Sequence, residues 1–326
     1  MQYENLMRRT LFYCLWIFSS CAALPTIPDK SQPKEPSASV DLNPSLLRIT
    51  ALNIGQGDAT VIQTPTGEAI LIDGGPSGSG LGKIIPFLEE EKIDQIETIL
   101  VSHYDADHIA GLLDLIPGRD KTLGTVDDWV PLRGIGDRGD EESRAKPLFA
   151  PYSALTNRWR YSVKPGDHWS FGEVEISALV INGTYLDGRS LLLSPEDENG
   201  RAMALLIQYR EFRYLTSGDL TGGGPSGITE TADLETHLAE IVGPVTALHI
   251  NHHGSVTSSN ERFLHLLQPE AFLISVGKDN DYGHPAPSVL KRLESTGTPI
   301  YRTDLMGDIT IETDGTDTRI ETSKTP

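Results

Sequence analysis

Ile96-Glu97-Thr98-Ile99-Leu100-Val101-Ser102-His103-Tyr104-Asp105-Ala106-Asp107-His108 is the stretch that decides how this chain is read. Ile96–Val101 is a mostly apolar strand. At its end stand two imidazoles and two carboxylates within six residues. A strand would send alternate side chains to opposite faces, whereas a strand-to-helix loop lets them converge. Imidazole and carboxylate together suit zinc, manganese or iron. The other reading is a polar turn in which Asp107 caps the next helix. A lone Asp would fit that turn; two His and two Asp packed behind an apolar strand fit a metal site better.

The arrangement of apolar strand followed by ligand recurs. Asp219 follows Tyr214–Thr216, His252 and His253 follow Val245–Ile250, and His284 comes shortly after Phe272–Val276. Six of the nine histidines lie in or beside these strand ends; His168, His237 and His265 read as surface or ordinary polar residues. Loops at one edge of a sheet sandwich can assemble such a site.

Working outward, Leu47–Asn53, Ala59–Gln63 and Ala69–Ile72 read as short strands separated by glycine turns. Gly55 and Gly57 suit a tight hairpin, and Gly74-Gly75 lets backbone pass close to the metal loops. Gly82–Ile93 and Ile109–Ile116 read as helices, with Pro86 tolerated in a first turn. Residues 117–165 are polar and hold Gly134, Gly136 and Gly139, which predicts long loops with little regular structure. Ala202–Tyr209 and Phe212–Leu215 form a hairpin. Thr229–Val242 reads as an amphipathic helix capped by Thr229 or Thr231. Strands come first and then alternate with helices, which suits two sheets face to face with helices outside. One domain over 45–326 is the simplest division.

The motifs taken together carry a resemblance. Asn53-Ile54-Gly55-Gln56-Gly57-Asp58, Ile72-Asp73-Gly74-Gly75, Ser102 to His108, Thr216-Ser217-Gly218-Asp219-Leu220, His252-His253-Gly254-Ser255 and Tyr282-Gly283-His284-Pro285 resemble the metallo-β-lactamase superfamily. Within it the chain is similar to the hydrolase-like domain of ComEC competence proteins. The resemblance implies an α/β fold, an αββα sandwich, with a binuclear metal site at one edge. It implies His103 and Asp105 on the first metal, Asp107 and His108 on the second, Asp219 bridging them, and His284 as the last ligand. His252 and His253 are left as ligands or proton donors. Hard oxygen ligands favour manganese or magnesium relative to zinc, while zinc binds more tightly in general, so two Zn2+ or Mn2+ ions are expected.

Two departures from the family pattern matter. Many members have a further His ligand before the bridging Asp, where this chain reads Glu198-Asn199-Gly200-Arg201-Ala202, so the first metal is expected to be weakly held. ComEC-like domains carry Lys where this chain has His249, which points to another substrate or role if that Lys serves a phosphate. Two metals sharing a water lower its pKa toward neutral. Asp107 would orient the nucleophile, His253 or His252 would protonate the leaving group, and Ser255 would steady a developing oxyanion. The expected reaction is phosphodiester hydrolysis of nucleic acid or a nucleotide. A carbonyl substrate (lactam, lactone or thioester) and a non-catalytic metal-binding protein of the envelope are the alternatives.

The beginning of the chain reads as an address. Arg8 and Arg9 precede the short apolar Leu11–Phe18, and Ser19-Ser20-Cys21-Ala22 resembles a bacterial lipoprotein cleavage site. Residues 1–21 are thus expected to be a signal peptide, 22–44 a Pro- and Ser-rich flexible tether, and Cys21 a lipidated membrane attachment. The expected location is periplasmic or membrane-anchored. Cys14 and Cys21 are the only cysteines, so the body would hold no disulfide. The net charge of −19 argues against a broad basic groove for nucleic acid. Arg133, Arg138, Arg144, Arg158 and Arg160 read as solvated surface before they read as a basic patch. No P-loop occurs, and no stable protein partner is inferred.

Overall fold

The computed structural model describes residues 46–140, 146–224 and 231–325. The expected leader, tether and lipidation site lie outside these residues, as do Arg144 and Thr229. The strands are β1 (Leu47–Ala51), β2 (Thr60–Gln63), β3 (Ala69–Ile72), β4 (Thr98–Leu100), β5 (Ile135–Asp137), β6 (Arg160–Ser162), β7 (His168–Phe171), β8 (Val174–Ile181), β9 (Thr184–Tyr185), β10 (Ala204–Tyr209), β11 (Phe212–Thr216), β12 (Ala247–His249), β13 (Ala271–Ile274), β14 (Ile300–Arg302), β15 (Ile309–Thr313) and β16 (Thr318–Thr322). They form two sheets, ordered β16-β15-β1-β2-β3-β4-β5-β6 and β14-β13-β12-β11-β10-β8-β7, with β9 paired to β8.

Each sheet is antiparallel over part of its width and parallel over the rest. β3 to β6 run parallel in the first sheet, and β11 to β14 run parallel in the second. Parallel strands need crossovers, and the helices supply them. These are α1 (Ile85–Glu90), α2 (Ala106–Ile109), α3 (Leu112–Leu115), α4 (Phe149–Thr156), α5 (Glu235–Val242), α6 (Glu261–Leu267), α7 (Pro287–Glu294) and α8 (Thr303–Met306).

Period-two alternation builds three apolar layers. Leu205 and Ile207 of β10 meet Ile49, Ile62 and Ile70 of the first sheet between the sheets. Ala204 and Leu206 turn the other way, toward Leu238, Phe263 and Val289 of the helices on the second sheet. Leu71 and Ile99 face Ile85, Leu88, Leu112 and Tyr152 on the outside of the first sheet. Both faces of the central strands are covered, so these strands read as continuous apolar runs. This is the expected αββα sandwich.

Several local expectations are corrected. Residues 117–165 hold β5, α4 and β6 rather than loops alone. The expected helix over Ile109–Ile116 is two short ones, α2 and α3, broken at Ala110-Gly111. A Cβ on Gly111 would stand 2.0 Å from the Gly74 carbonyl oxygen, so the chain turns there on a close backbone contact. The stretch from Gly82 begins as a wide turn over Gly80–Ile84 before α1, and Pro86 does fall in the first turn of α1. α5 starts at Glu235 rather than near Thr231, and Asp233 rather than a threonine accepts a first-turn N–H, that of Thr236 at 3.0 Å. Gly57 is not simply a hairpin residue. Its φ is +135°, and a Cβ there would lie 2.3 Å from the Asp107 carbonyl oxygen, so it admits the ligand loop.

Candidate metal centre

The ends of β4, β11, β12 and β13 meet at one edge of the sandwich and deliver the histidines and aspartates that the sequence singles out. The His103–His108 loop leaves β4, and Asp219 leaves β11. His252 and His253 lie in the turn Asn251–Gly254 after β12. Neither Asp105 nor Asp107 caps α2: Asp105 stands at the N-cap without a capping hydrogen bond. The capping alternative to a metal site is thereby removed.

Asp219 sits at the centre, with one carboxylate oxygen toward each of two groups. Its Oδ2 is 3.7 Å from His103 Nε2 and 3.5 Å from His252 Nε2. Its Oδ1 is 3.2 Å from His108 Nε2 and 3.5 Å from His253 Nε2. Asp105 Oδ2 joins the first group, 3.7 Å from His103 Nε2. Asp107 joins the second, with Oδ2 3.3 Å from His253 Nε2.

The outer nitrogens of these imidazoles are already engaged, which fixes what the inner ones can do. His253 Nδ1 donates to the Ser275 carbonyl at 2.9 Å. His108 Nδ1 lies 2.8 Å from Asp73 Oδ2. Ser102 Oγ donates to Asp73 at 2.6 Å, which leaves the hydroxyl as acceptor for His103 Nδ1 at 3.0 Å. A proton on each Nδ1 leaves the Nε2 lone pair facing inward, the arrangement of a metal-ligating imidazole. Among the described residues, His103 Nε2, His108 Nε2, His253 Nε2 and Asp219 Oδ1 are all buried without a hydrogen-bond partner. Four such atoms converging would be costly in a pocket meant to stay dry and empty of charge. His103, His108 and Asp219 offer ligand atoms within 4.8 Å of one another, as do Asp107, His108 and His253. The donor set fits two divalent cations, with the Asp219 carboxylate facing both groups.

The electrostatics favour positive charge at this centre. Burial alone would raise the Asp219 carboxyl, but His252, His253 and His108 hold it well below the usual range. Burial would lower His108, yet the charges of Asp219 and Asp73 lift it well above its ordinary value. His253 is likewise brought up to about 9 against burial, by Asp219 and Asp58.

His252 adds an imidazole to the first group, 3.5 Å from Asp219 Oδ2. It fills the first group, where the sequence shows no His before the bridging Asp. It reaches there because His252 and His253 both adopt left-handed backbone, with φ of 51° and 52°, which turns two consecutive side chains into one pocket. Its Nδ1 meets Thr257 Oγ1 at 3.0 Å, and Asn199 Nδ2 lies 3.2 Å from its Nε2. His284, expected as the last ligand, stands one ring further out, its centroid 5.5 Å from that of His252 and 6.5 Å from that of His253. Burial, with the neighbouring His252 and His253, lowers it to about 4. The Ser255 hydroxyl closes its own turn on Thr257 at 3.0 Å and reaches the centre only through Thr257 and His252.

Several supporting residues escaped the sequence reading. Asp73 orients both His108 and Ser102. Lys146 Nζ binds Asp105 Oδ1 at 2.7 Å. Glu198, in the stretch read as lacking a ligand, accepts from the Tyr104 backbone N–H at 2.8 Å and pairs with Arg138. Arg138 is therefore buried, not solvated, with its guanidinium 4.4 Å over the Tyr104 ring. Arg160 is similarly tied to Asp137. His249 bridges Tyr214 and Ser275 in the core at 3.0 and 2.9 Å. The partners are dozens of residues apart in sequence, so no local spacing reveals them.

Similarity to known proteins agrees with this geometry. The chain is 25% identical over 279 residues to ComE operon protein 3 of Bacillus subtilis, covering 80% of this chain and 32% of that protein. It is 25% identical over 274 residues to Recombination protein 2 of Haemophilus influenzae, covering 81% and 28%. It thus spans about a third of the length of the curated relatives it matches. Among solved structures, YhfI of Bacillus subtilis, a metallo-β-lactamase fold protein, superposes with a TM-score of 0.51 at 13% identity, over 82% of this chain and 100% of that one. That likeness shows the fold. The model of the metallo-beta-lactamase superfamily matches residues 52–278. The chain belongs to the metallo-β-lactamase superfamily.

Proposed function

We propose that this protein is a binuclear metal-dependent hydrolase of phosphodiesters, acting on nucleic acid or nucleotides. The observation that carries the metal chemistry is the Asp219 carboxylate, set between two groups of inward-facing imidazoles and carboxylates. Bound there, two divalent cations would activate water and polarise the substrate. His103, Asp105 and His252 would hold one, Asp107, His108 and His253 the other, with Zn2+ or Mn2+ as the ions. The Nδ1 hydrogen bond of His253 supports a ligand role over that of proton donor. Asp107, with Oδ2 3.3 Å from His253 Nε2, would orient the attacking water. His284 remains at the outer rim and Ser255 two hydrogen-bonded steps behind His252. The names of the relatives, competence and recombination proteins, support a nucleic-acid phosphodiester as substrate.

Protein purified without chelator should contain two divalent ions per chain and hydrolyse bis-p-nitrophenyl phosphate. Asp219→Asn should keep its circular dichroism, lose bound metal and lose at least about a hundredfold in turnover. Turnover of a chromogenic lactam with none of the diester would replace the phosphodiester reading by the carbonyl one.

We also propose that the protein is exported and held to a membrane through lipid on Cys21. No helix among the described residues is long and apolar enough to cross a membrane. Labelled palmitate should enter the wild-type chain in cells and be absent from Cys21→Ala; equal labelling of both would refute the attachment.

A further inference from the structure

An acidic protein that binds nucleic acid needs a source of affinity other than Coulombic attraction. This chain carries a net charge of −19. Three of the five arginines that a basic patch would need are paired with carboxylates: Arg138 with Glu198, Arg160 with Asp137 and, at the surface, Arg133 with Glu97. Stacking of bases on an aromatic ring is the sequence-tolerant alternative, and it does not depend on charge.

One side chain at the metal centre has the required form. Tyr282 is 70% exposed, so a flat partner can reach its ring from solvent. The ring lies parallel to the His284 imidazole, displaced, with an interplanar angle of 15° and centroids 5.8 Å apart. His284 in turn is 5.5 Å from the His252 ring, so the exposed tyrosine is two ring steps from the candidate metal ligands.

The platform is built on a braced loop. Asn280 Nδ2 donates to the Gly277 and His284 carbonyls at 2.9 and 2.6 Å, and its Oδ1 accepts from the Tyr282 and His284 backbone N–H at 3.2 and 3.0 Å. Gly277 N donates to Gln56 Oε1 at 3.2 Å, tying this loop to the one before β2. A ring held this way loses little freedom when a flat partner covers it.

We infer that Tyr282 is a substrate-binding residue that stacks a nucleobase of a single-stranded substrate beside the scissile phosphodiester. This deepens the phosphodiesterase reading and rests on it for the scissile bond, but the stacking can be measured without catalysis. The probes are a fluorescein-labelled deoxyadenosine pentamer and the same pentamer made abasic, added to full-length protein stripped of metal. Wild type should bind the base-bearing pentamer about tenfold more tightly, in line with ~1–3 kcal/mol per stacked base. Salt should change that preference little. Tyr282→Ala should lose the preference, and Tyr282→Phe and Tyr282→Trp should keep it. With metal restored, Tyr282→Ala should raise KM for the base-bearing pentamer about tenfold and leave kcat nearly unchanged. Equal binding of the two pentamers by wild type, or an undiminished preference in Tyr282→Ala, would overturn the inference. Base-dependent binding without cleavage of any diester would instead remove the phosphodiesterase reading and leave the platform standing.

Discussion

Arg138 supports the centre from outside it. Its guanidinium is 1% exposed, bonds Glu198 through Nε at 2.8 Å and Nη2 at 2.6 Å, and covers Tyr104. Glu198 in turn holds the Tyr104 backbone N–H. One buried ion pair therefore fixes the residue between His103 and Asp105. Removing one partner of such a pair strands the other charge, at a cost of about 3–5 kcal/mol. Arg138→Met should lower stability by that amount in urea titration and weaken metal binding by roughly tenfold. Arg138→Met with Glu198→Gln should recover part of the stability. The pair was not legible in the sequence because 60 residues separate its members. The ligands were legible, because each follows an apolar strand. The roles of His252 and His253 were not, since backbone of ordinary hand would point neighbouring side chains apart.

At the scale of elements, the apolar strands and most helices followed from periodicity. β5 and β6 did not. Each is three residues long, β5 contains Gly136, and β6 reads Arg-Tyr-Ser, so neither shows an alternating pattern. The start of α5 was misplaced for a related reason: its first turn is held by Asp233, which accepts the Thr236 backbone N–H at 3.0 Å, and by tertiary contact of its first residue, not by Thr229 or Thr231. The buried Glu235 carboxylate accepts from the Ser259 and Asn260 backbone N–H and from the Asn251 side chain, at 2.6, 2.8 and 2.8 Å. It fastens α5 to the turn before α6. Burial pushes this carboxyl up to about 7 from 4.5, against the pull of those three donors. The folded chain therefore holds the proton more tightly than the unfolded chain. The stability Glu235 contributes is complete below about pH 4.5 and falls away as pH rises through about 7, by roughly 3 kcal/mol in all. Glu235→Gln should flatten that part of the stability profile in denaturant titrations at successive pH values.

At the scale of the whole molecule, the candidate cation ligands are divided between the two sheets. His103, Asp105, Asp107 and His108 come from the loop after β4, in the first sheet. Asp219, His252 and His253 come from loops after β11 and β12, in the second. Neither sheet holds a complete set. Ions bound here would act as rivets through the seam of the sandwich, and an unfolded chain has nothing comparable to offer them. Free metal at a hundred times its Kd would add about 2.7 kcal/mol to the folded state. A chelator should therefore behave toward this protein as a mild denaturant, with a melting temperature that climbs with the logarithm of free metal. Each half of the chain made separately should be unable to retain the ions.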